Sequence, residues 1–236
     1  MKIACNQPNF IPWAPYFDLI SKVDIFFILD TVQPGKKNFI VRNKIVNPNK
    51  NLIKWITVPI EKKLKYSPMY ENKLLIDTKI NHYNIIKNNY IKFINDKKDK
   101  LLSKIFLENN SKYFSEYNFN IIKEICKFIG IKTKFKLFSE YFQKDVLQNK
   151  TTDYLVKDII KREKATTYIN FQNGIEKKIK PYDDEIFFKS NSVSLIKQNP
   201  YFFSSKNKFG YEHSILHLIM RDIDIPFDKI KYLRVY

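Results

Sequence analysis

Two amide side chains, Gln7 and Asn9, flank Pro8, and a carboxylate, Asp30, closes the apolar run Ile25-Phe26-Phe27-Ile28-Leu29. Each amide both donates and accepts hydrogen bonds, which suits the hydroxyl and amide groups of a sugar. Asp30 can take the proton of an attacking sugar amine, a task worth about 10² to 10⁴ in rate when well positioned. The same carboxylate can instead cap a turn or pair with Arg42. His82 is a second possible base, or a packed histidine on a helical pattern. Lys36, Lys37, Arg42 and Lys44 share one polar segment. The planar fork of arginine suits bidentate phosphate contact, so a nucleotide-linked sugar, ATP or a tRNA acceptor stem would each satisfy the segment. A solvated basic loop is the alternative.

Other chemistries are excluded by what is missing. His213 and His217 share a helical face, but two ligands do not make a zinc site, and Glu212 precedes the first histidine where a metalloprotease base must follow it. No metal is expected. The chain has 4 glycines and no phosphate-cradling glycine loop or nucleophile elbow, so neither Walker-type ATP use nor ordinary dinucleotide binding is expected. Cys5 and Cys126 are far apart and read as reduced core thiols. The net charge of +18 attracts phosphates, nucleotides, RNA or an anionic membrane face, unless the lysines are only spread as solvated charge. No apolar run reaches the roughly 18 residues of a bilayer span, and the start lacks a signal segment, so a cytoplasmic protein is expected.

The elements that must position these residues follow from periodicity. With 44% hydrophobic and 16% aromatic residues, the chain can bury a core. Lys2 to Asn6 is a strand, and Pro8, Pro12 and Pro15 delay a helix until about Tyr16 to Lys22. Asp24 to Asp30 reads as a central strand buried on both faces. Such a βαβ start gathers Gln7, Asn9 and Asp30 beyond the carboxyl ends of the strands, where ligands usually bind. Trp55 to Ile60 is a further strand stopped by Pro59, with the polar segment Gln33 to Asn51 overhanging the sheet. From Ile80 to Ile129 the pattern is helical, and a helix from Asn118 to Phe128 ends at Gly130. Strands follow at Thr133 to Phe138, Thr166 to Phe171 and Ser192 to Gln198, with helices at Thr152 to Arg162 and Tyr211 to Asp222. The expectation is an α/β fold with a mainly parallel sheet, one domain over 1–236, and a helical insertion at about 80–129.

The stretch Asn6-Gln7-Pro8-Asn9-Phe10-Ile11-Pro12-Trp13 continues with Tyr16-Phe17, Asp24, the Phe26 to Asp30 strand, Val32-Gln33, Lys37 and Arg42-Asn43. Together these residues resemble the signature of the WbqC-like family of bacterial surface-polysaccharide proteins. Trp55 to Pro59 matches the family's next element, and weaker matches run through His82, Gly130-Ile131, Ser139-Glu140, Leu155, Thr167-Tyr168 and Ser214-Ile215. The family usually carries His where this chain has Asn6 and Asp where it has His217. The resemblance implies O-antigen biosynthesis and N-acylated amino sugars. It points to an acyl- or aminoacyltransferase acting on a nucleotide- or lipid-linked amino sugar. An activated donor, either aminoacyl-tRNA, acyl-CoA or acyl-adenylate, would serve as co-substrate, and no resident cofactor is implied. Asp30 and His82 are then the candidate catalytic residues, and Gln7, Asn9, Trp13, Gln33, Lys37, Arg42 and Asn43 the substrate-binding ones. The opening also looks similar to nucleotidyltransferase-like and Rossmann-like folds. That likeness offers nucleotidyl or phosphoryl transfer as an alternative, beside a non-catalytic glycan-assembly or RNA-binding role.

Overall fold

A computed structural model describes residues 1–32, 38–50, 52–61, 67–171, 184–199, 213–225, 227 and 230–235. The chain opens with β1 (Lys2–Asn6), α1 (Ala14–Ser21) and β2 (Ile25–Ile28). Helix α1 begins earlier than Tyr16, because Pro15 falls in its first turn, where a missing N–H and a fixed φ do no harm. All four residues of β2 are buried, as its unbroken apolar run requires.

The next two strands, β3 (Arg42–Asn47) and β4 (Leu52–Thr57), pair with each other as an antiparallel hairpin outside the main sheet. So the polar segment after Gln33 is not all overhang. Its strand hides from pattern reading because Asn43, one of its inward residues, is polar. The predicted helical insertion comprises α2 (Thr78–Asn89), α3 (Asp96–Leu102) running into a π-turn at Ser103–Leu107, and α4 (Phe114–Phe128). Helix α4 ends as its glycine suggests. Gly130 has φ +82°, its N–H bonds to Lys127 O, and Ile131 N bonds back to Cys126 O.

The α/β alternation then resumes with β5 (Lys134–Leu137), α5 (Phe138–Tyr141), α6 (Lys144–Asn149), α7 (Thr152–Arg162) and β6 (Thr167–Phe171). It finishes with α8 (Glu185–Ser190), β7 (Ser194–Asn199), α9 (Ile215–Met220) and β8 (Lys231–Arg234). The six-stranded sheet has the order β5-β2-β1-β6-β7-β8, and only the β7–β8 pair is antiparallel. The expected α/β fold with a mainly parallel sheet is what the chain adopts.

Both faces of the sheet are covered. Ala4, Phe26, Ile28 and Ile169 pack with α1 and the inserted helices, including Ile121, Ile122 and Ile125 of α4. On the opposite face Ile3, Cys5, Phe27 and Tyr168 pack with Leu155, Val156 and Ile159 of α7 and Phe188 of α8. Cys5 and Cys126 are free and buried, and burial pushes both thiols up to about 12. No helix among the described residues is long and apolar enough to cross a membrane.

Candidate functional site

The register of the central strands fixes which residues meet at the carboxyl edge. Asn6 lies opposite Ile28, and Ile28 opposite Leu137, so Gln7, Asp30 and Ser139 follow just beyond three adjacent strand ends. From β1 the chain moves outward to β2 and β5, then returns to place β6 on the other side of β1. This reversal between β1 and β6 opens the crevice in which α/β sheets bind ligands.

The Asn6–Trp13 loop leaves β1 at that crevice and is fastened from beneath. Asn43, buried on β3, donates its amide to Phe10 O at 3.2 Å and Ile11 O at 2.9 Å. Asn118, on α4, donates to Pro8 O at 2.8 Å and Ile40 O at 2.9 Å. The Tyr16 hydroxyl and Asn9 N both donate to Gln7 O at 2.8 Å, and Ile215 N donates to Pro12 O at 2.8 Å. These ties hold Ile11 at φ +37°, a region a β-branched residue rarely enters. With the loop's backbone held this way, the half-buried side chains of Gln7 and Asn9 make no hydrogen bond to a described residue. Trp13, also half-buried, lies with its ring 6.4 Å from that of Phe171 at the end of β6.

Asp30 is wholly buried. Of the two bland roles open to it, the structure realises the cap. Ser139 N donates to Oδ1 at 3.0 Å and the Ser139 hydroxyl donates to Oδ2. Burial raises its pKa above the ordinary carboxylate value, and the two Ser139 bonds oppose that rise. Its charge reaches Tyr70, whose pKa is raised first by burial and then by Glu71 and Asp30. Arg42 sits elsewhere, on the outer face of the hairpin, with its guanidinium 4.2 Å from the Trp55 ring centroid.

His82 is buried beneath the loop with its ring 4.8 Å from that of Phe10. Nε2 lies 3.0 Å from Thr57 O, which can only accept, so that nitrogen carries the proton and Nδ1 accepts from the Tyr117 hydroxyl at 2.8 Å. Burial pushes its pKa down to about 4. His217 is likewise buried, 3.1 Å from the Tyr90 hydroxyl, and burial lowers it to about 4. Among the described residues no group of three metal-ligating side chains assembles.

Gln7, Asn9 and Trp13 therefore share one loop, Asp30 stands behind the neighbouring strand end, and Asn43 and His82 are props beneath. Gln33, Lys36 and Lys37 lie outside the described residues. Reading the sequence passed over Asn118 and Phe171. Asn118 left a trace, a polar residue on the same helical stripe as Ile121, Ile122 and Ile125.

The sequence pattern of the WbqC-like protein family matches residues 7–223. A protein of Mycobacterium tuberculosis (strain ATCC 25618 / H37Rv) described as "Uncharacterized protein Rv1507c" is 28% identical over 197 residues, which cover 82% of this chain and 80% of that protein. No solved structure matches the chain.

Proposed function

The chain belongs to the WbqC-like protein family, and on that premise we propose an acyl- or aminoacyltransferase that forms an amide on a nucleotide- or lipid-linked amino sugar in surface polysaccharide biosynthesis. The observation that carries the site is the propped Asn6–Trp13 loop over the β1/β6 crevice, whose Gln7 and Asn9 amides are uncommitted to any described residue. Those amides orient sugar hydroxyls, and Trp13 with Phe171 offers an apolar wall.

The reaction joins the sugar nitrogen to the donor's acyl carbon and breaks that carbon's bond to the oxygen or sulfur of the leaving group. The nitrogen must shed a proton. Asp30 is too buried to take it directly, but half-buried Ser139 already points its hydroxyl at Oδ2. In this scheme Ser139 accepts the proton from the amine and passes its own to Asp30, whose raised pKa favours receiving it. His82, with both nitrogens engaged, positions Phe10 and takes no part in proton transfer.

Purified protein incubated with nucleotide-linked amino sugars and aminoacyl-tRNA, acyl-CoA or acyl-adenylate is expected to yield an amide product by mass spectrometry. Asp30→Asn is expected to slow it by about 10² to 10⁴. Nucleotide consumption that needs a metal but no amino sugar would overturn the reading in favour of nucleotidyl or phosphoryl transfer.

A further inference from the structure

The β3–β4 hairpin carries a surface that the crevice does not use. On its outer face Arg42 pairs across the strands with Thr57, and Lys44 with Trp55. The Arg42 guanidinium lies 4.2 Å and Lys44 Nζ 5.2 Å from the Trp55 ring centroid, and the Phe39 ring adds a third planar group 6.3 Å from Trp55. Folding normally covers such rings, yet Phe39 is 51% and Trp55 40% exposed. Arg42 Nε is buried with no hydrogen-bond partner among the described residues. Cations stacked on open aromatics suit a flat base on the rings and a phosphate on the charges.

Towards its turn the hairpin's other face is open as well, since Lys54 pairs with buried Ile45 and so faces away from Trp55. There Lys50 and Lys54 border a cleft of about 560 Å³ whose other wall is Asn81, Asn84 and Asn88 of α2. A strand pair of this length reaches on the order of 20 Å, a track for several linked nucleotides more than a seat for one. The net charge of +18 supplies the long-range attraction.

We propose that the hairpin face carrying Arg42, Lys44 and Trp55, with Phe39 beside it, binds single-stranded RNA. Its functional sense rests on the transferase reading. Phe39 O accepts from Phe10 N of the Asn6–Trp13 loop, so the platform abuts the crevice and an RNA end leaving it enters there carrying the acyl group.

Fluorescence anisotropy of a labelled single-stranded RNA oligomer with the full chain tests this without sugar or donor. Trp55→Ala and Phe39→Ala are each expected to weaken binding by roughly ten-fold or more, and Trp55→Phe to keep most of it. Lys44→Gln should lower the salt slope of binding. Lys132→Gln with Lys134→Gln, which removes two charges at the start of β5, should change little. Equal losses in that control, unaltered binding in both alanine variants, or a mononucleotide competing as well as the oligomer would each overturn the inference. Thermal melts check folding, and Phe39→Ala with Trp55→Phe carry the test should Trp55→Ala not fold. Amide formation from acyl-CoA without RNA binding would sink this inference and spare the transferase. RNA binding without amide formation would do the reverse.

Discussion

Asn43 sets the conformation of the opening loop by giving one buried amide group to two successive carbonyls. Asn43→Ala leaves both acceptors without a partner among the described residues, and about 1–3 kcal/mol is expected to be lost for each that stays dry, read from urea unfolding. The buried histidines set a pH limit. His82 is neutral in the fold, with its pKa lowered from 6.5 to about 4, so its contribution is fully present above pH 6.5 and is lost as pH falls towards 4. Melting temperature should fall across that window, and the fall should flatten in His82→Gln whatever that variant's absolute stability. Residue types marked the edge correctly in sequence, since Gln7, Asn9 and Asp30 do stand at or just beyond strand ends. Their partners were not legible. Whether Asp30 meets Arg42 or Ser139, and whether Asn43 faces a ligand or a carbonyl, depends on strand direction and on chain that folds back from far along the sequence.

Among the elements, those with a one-sided or unbroken apolar pattern announced themselves. Strand β2 and helices α4 and α7 do so because burial alone shapes them. Strands β3 and β8 did not, because inward polar contacts of Asn43 and Tyr232, which pattern reading counts as surface, help to fix them. Strand β8 is pinned by a buried network in which the Tyr232 hydroxyl and Gln198 Nε2 both donate to Asp18 Oδ2 on α1. Tyr232→Phe removes one donor from a carboxylate whose pKa burial already raises, and should cost about 1–3 kcal/mol in thermal melts. Gly130 is a different case. A Cβ there meets nothing within 4 Å, so Gly130→Ala is opposed only by its φ of +82°, and about 1–2 kcal/mol of destabilisation is expected.

At the scale of the molecule, one sheet serves two cores. Neighbouring Phe26 and Phe27 point into opposite clusters, both wholly buried. Each truncated to alanine should lose about 3–5 kcal/mol. Both losses should appear in a single unfolding transition, seen alike by near- and far-ultraviolet circular dichroism, because neither face keeps its sheet without the other. The central position of β1 also orders events during synthesis. Lys2 and Ile3 find their second neighbours at Thr167 and Tyr168. At ribosomal speeds of about 5–20 residues per second, roughly ten to thirty seconds pass before that partner strand exists. Until then the innermost strand of the finished protein is an open edge on the nascent chain, free to recruit a stranger. Chaperone cover is needed most while the inserted helices are being made, and a ribosome stalled before Thr167 leaves a product prone to aggregate.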